Sequence, residues 1–381
     1  MSRTSNGEIS LLIDIGSQSV GGALIISGEK PEIIFSKRIR LPWSQVKNEE
    51  RVGDMIIENL SELVQIIFKE GSIVLHINQH KLESKKIKRV LCTVSSPWCI
   101  SETNVISKEN EKSFEINSKS LDAILDQHEQ EKIKQENTEY RLIEKKITKV
   151  KLNGYPTENF LNKEANKIEI STFDGRIRED FARKVENVLE HFLNSEVIFH
   201  TYTLASLTVL QDVFPNISDQ MTIEITGGRT DVTVIEDNLI KQTTSFTRGT
   251  NSLLGRISDE YDVTPDIAMS FLKIYYEKRT EENFRNRIKK VVEEEKNAWI
   301  RDLQKASREM NSAPAKIFLT LDPRFQPFFE EYLKISLQDK RDSVVFTGTK
   351  ALGQFCNTKN SEFDPFLFLG AIFLNKLYKA Y

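Results

Sequence analysis

The sequence predicts an α/β protein of two lobes, and three observations support this prediction. Two similar segments, 11–25 (LLIDIGSQSVGGALI) and 221–235 (MTIEITGGRTDVTVI), each have the pattern of a strand, a tight turn and a second strand. Strands and helices alternate in both halves of the chain. A length of 381 residues is sufficient for more than one hydrophobic core.

The two segments also match at an acidic residue. An offset of 210 places Asp14 on Glu224, and each acid ends the first strand of its segment, beside the turn. An acid repeated at the same place in two halves of a chain indicates a duplicated architecture. We therefore expect both turns to face one shared cleft.

The rest of the chain completes the predicted division into domains. Predicted helices and strands alternate between the two segments, with a strand at 141–152 and an amphipathic helix at 179–193. The predicted units are a first lobe at 1–112 and 201–222, an inserted α/β subdomain at 113–200, and a second lobe at 223–381 with a helical subdomain at about 251–312.

The composition excludes several classes of function. Lys plus Arg number 53 and Asp plus Glu number 56, so the net charge of −3 does not predict a nucleic-acid partner. The longest apolar run, Phe366 to Leu374, is shorter than the roughly 20 residues that span a bilayer. Met1 to Ser10 is polar and lacks the apolar core of a signal peptide. We expect a cytoplasmic protein that reaches a membrane only through a partner.

The two turns have the composition of phosphate-binding loops. Turns of small residues expose backbone N–H groups that can hold phosphate oxygens, as Gly16-Ser17 and Gly227-Gly228 would do. Carboxylates beside them, from Asp14, Glu224 and Asp231, are the ligands that a hydrated magnesium ion prefers. One hypothesis is that both turns clamp one polyphosphate, and the alternative is that each is an ordinary β-hairpin.

These motifs resemble those of the actin-like ATPase superfamily. Segment 14–17 (DIGS) is similar to its first phosphate motif, and segment 224–231 (EITGGRTD) is similar to its second. Within the superfamily the chain resembles the bacterial FtsA and PilM group, on segments 153–156 (NGYP) and 245–250 (SFTRGT). The resemblance implies a two-lobed actin-like, ribonuclease H-like duplicated fold with an inserted α/β subdomain.

The resemblance also implies a set of site residues but no catalytic residue. Magnesium would be held through water by Asp14, Glu224 and Asp231. The nucleotide would be bound by a larger set of residues in and beside the turns: Asp14, Gly16, Ser17, Gln18, Ser19, Glu224, Gly227, Gly228, Arg229, Thr230 and Gly249.

Several positions depart from the family pattern. Glu224 stands for the usual Asp, Thr226 for a Gly and Ser19 for a Lys, and segment 317–323 (IFLTLDP) lacks the glycines of the adenosine motif. The Cβ of Thr226 would crowd a phosphate that approaches the backbone. The departures predict a degenerate ATP site, and they leave binding of ATP and Mg²⁺ open.

The resemblance implies a function that depends on which relative is nearer. FtsA-like proteins carry a basic amphipathic helix for the membrane, whereas the last predicted helix here, 366–378, is apolar on all sides over 366–374. We therefore expect a PilM-like cytoplasmic scaffold of an inner-membrane type IV pilus or secretion platform, which binds the cytoplasmic tail of a PilN-like membrane protein. Self-association is left open. The alternatives are an FtsA-like ATPase that polymerises in cell division and a small-molecule kinase, for which no segment marks a substrate pocket.

Overall fold

The computed structural model describes residues 8–41, 49–77, 87–135, 139–193, 195–279, 281–310, 316–336, 343–358 and 362–379. Most of the polar N-terminal stretch used above, residues 1–7, lies outside the described residues. Among the described helices, none is both long enough and apolar enough to cross a membrane.

The strands, numbered along the chain, are β1 Ile9–Ile15, β2 Ser19–Ile26, β3 Glu32–Arg40, β4 Ile87–Val94, β5 Cys99–Ile116, β6 Tyr140–Leu152, β7 Tyr155–Pro156, β8 Lys163–Arg178, β9 Val197–Thr201, β10 Gln220–Ile225, β11 Thr230–Glu236, β12 Leu239–Phe246, β13 Lys316–Leu321, β14 Val344–Phe346 and β15 Asn357–Thr358. The two predicted strand–turn–strand segments are therefore confirmed, as β1–β2 and β10–β11.

The helices are α1 Glu49–Ile66, α2 Ser72–Ile77, α3 Ser118–Gln135, α4 Glu179–Phe192, α5 Tyr202–Val213, α6 Thr250–Tyr261, α7 Pro265–Tyr276, α8 Glu282–Glu309, α9 Gln326–Ser336, α10 Thr349–Leu352 and α11 Pro365–Lys379. A π-helical turn, Ile67–Gly71, joins α1 to α2, and a 3₁₀ turn, Pro323–Phe325, precedes α9. The three helices α6 to α8 follow the second hairpin and its third strand, β12.

Two sheets share one strand order. The first runs β15-β3-β2-β1-β4-β9 and the second β12-β11-β10-β13-β14. In each, the three consecutive strands of the meander are antiparallel, and the first of them pairs in parallel with the next strand of its lobe. The same order twice in one chain confirms the predicted duplication into two lobes.

The first lobe buries its sheet on both faces. Successive residues of a strand point to opposite faces, so Leu11 and Ile13 of β1 join one core and Leu12 joins another. Helices α1 and α4 supply the first of these cores, and α5 and α11 supply the second. This layered burial places the end of β1, and with it Asp14, in the interior.

A third sheet forms the insertion, in the order β5-β8-β6-β7. It is built from residues between Cys99 and Arg178, with α3 packed against β5. Helix α4 and strand β9 belong to the core and sheet of the first lobe, so the insertion differs in its bounds from the predicted 113–200. Strand β5 has mostly polar, exposed residues, which is why its sequence does not show the alternation of a half-buried strand.

The inserted sheet touches both lobes. Thr243 of β12 donates a hydrogen bond from Oγ1 to the carbonyl of Ser101, 2.7 Å away, and Thr103 donates to the carbonyl of Ile240 at 3.3 Å. Phe173 of β8 packs in a small core with Ile235 and Ile240 of the second lobe. The insertion therefore links the second lobe to the first beside helix α5, which contributes to the same small core.

Candidate functional site

The two turns meet face to face where the lobes join. The first turn follows β1 and the second follows β10. The hydroxyls of Ser17 and Thr226 share a hydrogen bond of 2.6 Å, and the amide of Gly228 donates to Ser17 Oγ at 2.8 Å. Asn251 Nδ2, at the start of α6, donates to Gln18 Oε1 at 2.6 Å. The turns are thus held against each other by their own side chains.

The amides of the turns also have acceptors within the protein. Gly16 N donates to the carbonyl of Ser19 at 2.9 Å, and Thr226 N donates to the carbonyl of Arg229 at 3.0 Å. A phosphate that used these N–H groups would have to replace existing hydrogen bonds. Thr226 also holds Ser17 through its hydroxyl, a contact that a glycine at this position could not make.

Asp14 faces a cation supplied by the protein. Across the sheet Asp14 pairs with Gly21 of β2, and Gly21 pairs with Arg38 of β3. Arg38 Nη2 lies 2.8 Å from Asp14 Oδ2, and Thr93 Oγ1 donates to Asp14 Oδ1 at 2.9 Å. Burial raises the pKa of the Asp14 carboxyl, and the Arg38 guanidinium and Thr93 hydroxyl oppose that rise.

Arg38 has a second carboxylate partner, Asp364. Its Nε and Nη2 donate to the two oxygens of Asp364 at 2.6 and 3.2 Å, and Nη1 donates to Ser19 Oγ at 3.1 Å. Burial acts to lower the pKa of Arg38, but the carboxylates of Asp364 and Asp14 more than offset this and raise it. Asp364 also caps α11, where Oδ1 accepts from the amide of Phe366 at 3.0 Å.

Glu224 has a different environment although it occupies the matching place. It pairs across the strands with Asp231, a second acid. Ser206 of α5 donates to Oε1 at 2.8 Å, and Oε2 has no hydrogen-bond partner among the described residues. Burial, with the nearby charge of Asp231, raises the pKa of Glu224 well above its ordinary value. Its surroundings therefore favour the protonated form of this carboxyl.

Asp231 makes a contact between the lobes. Ser96, which follows β4, donates a hydrogen bond from its hydroxyl to Asp231 Oδ1. Burial raises the pKa of Asp231 to about 6, against the lowering effect of Ser96 and of Arg229. The structure thus brings Asp231 and Glu224 together, and Asp14 has its own partners.

A cleft of about 430 Å³ opens beside the first turn. Five of the predicted residues line it, and Thr226 joins them: Asp14, Gly16, Gln18, Ser19 and Gly227. Basic and acidic side chains face each other there, since Lys37, Arg38, Arg40 and Arg324 line it with Asp14, Asp322, Glu362 and Asp364.

The other predicted residues serve the second turn and the contact between lobes. Arg229 forms an ion pair with Glu49 of the first lobe. Thr230 donates from Oγ1 to the carbonyl of Arg248 at 2.6 Å and accepts from Trp299 Nε1 at 3.1 Å. Gly249 precedes α6, and a Cβ there would lie 2.6 Å from the carbonyl oxygen of Gly227.

The position of the missing adenosine glycines carries another ion pair. Asp322 follows β13 and lies 2.8 Å from Arg40 of β3 and 2.7 Å from Arg324. Burial acts to raise the pKa of Asp322, but Arg324 and Arg40 outweigh it and lower the pKa. Asp322 and its ion pair with Arg40 thus occupy the position where the family pattern has glycines, whose lack of a side chain allows a nucleoside to approach the backbone.

These residues do not fit a magnesium ion. Both oxygens of Asp14 have protein partners, burial favours the protonated form of Glu224, and Asp231 bonds to Ser96. A metal-binding carboxylate must be ionised and must face the ion. Within the described part of the chain, no three His, Cys, Asp or Glu side chains form a group that could hold a metal.

Sequence reasoning missed Arg38, Asp364 and the support of the first turn by Trp98. Trp98 is 1% exposed, stacks on Phe181 and donates from Nε1 to the carbonyl of Gly16 at 2.9 Å. The one signal for Arg38 was the segment 32–40 (EIIFSKRIR), which is rich in Ile and Phe and carries three basic residues toward its end.

The fold is similar to that of solved structures, whereas no protein-family model and no curated protein matches the chain. A chain of a PilM–PilN type IV pilus biogenesis complex matches with a TM-score of 0.62 and 12% identity, covering 97% of this chain and 98% of that one. Ethanolamine utilization protein EutJ from Carboxydothermus hydrogenoformans matches with a TM-score of 0.50 and 12% identity, covering 98% and 92%. With the repeated strand order, these similarities confirm the predicted two-lobed, actin-like fold.

Proposed function

We propose that this chain is a PilM-like scaffold at the cytoplasmic face of an inner membrane, where it binds the cytoplasmic tail of a PilN-like membrane protein. The observation that carries the proposal is the similarity in fold over nearly the whole chain, insertion included, to a chain from a PilM–PilN complex. The proposal assigns the chain a role in a type IV pilus or related secretion platform.

The contacts between the lobes support a scaffold rather than an ATPase. The turns bond to each other, Arg40 bonds to Asp322, and Ser96 bonds to Asp231. The residues that would hold a metal and a nucleotide instead satisfy one another. We therefore propose a degenerate ATP site, and the FtsA-like alternative is not favoured.

A groove lined by acids offers a place for the tail. It is made up of two cavities of about 740 and 300 Å³, which lie between the insertion and the first lobe along β6, α4 and β9 and are linked by one ion pair. Arg141 joins them, since it lines the smaller cavity and lies 3.3 Å from Glu179 of the larger. Eight acids and three arginines border this acidic groove: Glu49, Glu50, Glu139, Glu179, Asp180, Glu186, Glu190, Glu196, Arg141, Arg178 and Arg183.

The charge of the groove indicates the chemistry of its partner. Short cytoplasmic segments next to a membrane span are rich in Lys and Arg. Complementary charge steers such a segment to an acidic surface and weakens the binding of acidic competitors. We propose that the acidic groove binds a basic tail.

The test is binding of the purified chain to a synthetic peptide, namely the cytoplasmic N-terminal segment of a single-span inner-membrane protein encoded beside it. Fluorescence anisotropy should show saturable binding that weakens as salt is added. The double variant Glu186→Lys with Glu190→Lys should bind at least about tenfold more weakly. The matched control is Glu294→Lys, an exposed charge reversal on α8 of the second lobe, which should bind as the wild type does.

Two results would count against the scaffold. Peptide binding that neither the groove variant nor salt affects would remove the groove from the proposal. Magnesium-dependent ATP turnover that is lost in Asp14→Ala, together with filaments seen by electron microscopy, would favour the polymerising ATPase instead.

A further inference from the structure

The mismatch between the acids of the cleft and a magnesium ion has a specific cause, the position of Arg38. Its guanidinium lies between Asp14 and Asp364, two carboxylates that are 350 residues apart in the chain. The Arg38 side chain is 9% exposed, that of Asp14 is 1% and that of Asp364 is 16%. A buried cation between two carboxylates is the charge arrangement that a metal ion would otherwise complete.

Gly21 makes this arrangement sterically feasible. It lies between Asp14 and Arg38 in the register of the sheet, so the arginine must cross β2 to reach the acid. A Cβ on Gly21 would lie 2.7 Å from Nη2 and 2.8 Å from Cζ of Arg38. The absence of a side chain at Gly21 thus leaves the space that the guanidinium fills.

We propose that Arg38 is the resident cation of the cleft, and that it takes the place of a divalent metal at Asp14. The proposal rests on the degenerate site proposed above and is independent of the partner. Arg38 holds the end of β1 to the N-terminus of α11 through Asp14 and Asp364. The cleft therefore keeps its arrangement with neither metal nor nucleotide.

The position of Arg38 alone also fits a role in binding phosphate, because Arg38 donates to Ser19, which stands at the place of the lysine in the family pattern. A phosphate ligand needs donors that face the cleft. Four of the five N–H groups of Arg38 donate to Asp14, Asp364 and Ser19. The geometry favours the internal role, and the experiment distinguishes the two.

The experiment measures the thermal unfolding midpoint, Tm, of the full chain with EDTA, with MgCl₂, with ATP in EDTA and with magnesium-ATP. The wild type should have the same Tm in all four. Arg38→Gln should lower Tm by about 5 °C or more in every condition, because it leaves the buried Asp14 and the partly buried Asp364 without their cation. The control, Arg40→Gln on the same strand, breaks a more exposed ion pair and should lower Tm by about 2 °C or less.

Three results would overturn the proposal: a rise in the wild-type Tm with magnesium-ATP, a rise with ATP in EDTA that Arg38→Gln abolishes, or equal effects of Arg38→Gln and Arg40→Gln. Arg38→Lys provides a second variant if Arg38→Gln does not fold. It keeps the positive charge and should fold with a Tm below that of the wild type, because lysine lacks the paired donors of the guanidinium, and that Tm should be the same in all four conditions. Failure of the tail to bind would leave these outcomes unchanged, so the two proposals fail separately.

Discussion

The two lobes place an acid at the same point of the same strand order and then surround it differently. In the first lobe Asp14 is flanked across the sheet by Gly21 and then Arg38. In the second lobe Glu224 is flanked by Asp231 and then Ser245. On the other side each acid has a threonine beside it, Thr93 or Thr320. The two acids differ in the neighbour on the next strand. Beside Asp14 this neighbour is a glycine, which leaves room for Arg38, whereas beside Glu224 it is a second acid, Asp231.

This difference decides the electrostatic surroundings of each acid. The first acid has a guanidinium 2.8 Å away, whereas the second shares its surroundings with Asp231, and its pKa is raised well above the ordinary value. The backbone frame has therefore been kept in both lobes, but neither acid retains the surroundings that a hydrated metal needs. Duplication of a fold preserves positions more faithfully than it preserves chemistry.

Neutral substitutions of the two acids should give the largest difference in stability between the lobes. Asp14→Asn removes a buried charge from Arg38 and should lower the free energy of unfolding by about 2–4 kcal/mol. Glu224→Gln replaces a carboxyl whose protonated form is favoured with a neutral amide of similar shape and should cost about 1 kcal/mol or less. Urea unfolding of both variants measures the two values, and similar losses would mean that the acids have similar surroundings.

Glycine-to-alanine substitutions at and beside the turns should lower the free energy of unfolding by smaller amounts, and by different amounts in the two lobes. A Cβ at Gly249 would press on the backbone oxygens of Thr226 and Gly227, so Gly249→Ala should cost about 2 kcal/mol. A Cβ at Gly16 would meet only Ser19 Oγ at 3.2 Å and the Thr226 side chain, and should cost less. Gly348→Ala, which has open space around it, is the control. The same urea measurement ranks the three variants. A larger loss of unfolding free energy for Gly16→Ala than for Gly249→Ala would contradict the expectation that the backbone around Gly249 is the more tightly packed.

Glu224 of the second lobe should contribute to the pH dependence of stability. Above about pH 4.3 the unfolded chain ionises Glu224 while the folded chain keeps it protonated, so stability falls as pH rises, by up to about 1.4 kcal/mol per pH unit until the folded pKa is reached. Glu224→Gln removes this loss. Its stability relative to the wild type should therefore increase from pH 5 to pH 8, as measured by Tm at each pH, and a constant difference would show that Glu224 is ionised in the folded state.

The smallest effect should come from the side-chain contact between Gln18 and Asn251. Asn251→Ala removes a partly buried hydrogen bond between neutral groups and should lower the free energy of unfolding by about 1 kcal/mol. Gln18→Ala should cost about as much, and the double variant should cost less than the sum of the two. A fully additive double variant would show that the contact contributes nothing to stability.

The sequence was sufficient to predict the duplicated frame because its signals are local. Each turn lies between two short strands, and the offset between Asp14 and Glu224 follows from the sequence directly. The cation was not predictable in the same way, because Arg38 reaches Asp14 only through the register of three strands and the absence of a side chain at Gly21. Asp364 is brought in by the last helix, from the far end of the chain.

The bounds of the insertion show a second limit of local reasoning. Strand β5 is long, polar and exposed, and its pairing with β8 rather than its own pattern makes it a strand. Helix α4 was predicted correctly as an amphipathic helix, but its apolar face packs on the first lobe. A pattern predicts that a face is buried and does not say against which element.

The most direct test of the central claim, that the cleft is complete without metal or nucleotide, is calorimetric titration of the full chain with magnesium-ATP. The account predicts no heat of binding up to millimolar ligand. Binding at micromolar concentration would contradict it, because Arg38 and the contacts between the turns would then have to give way to the nucleotide.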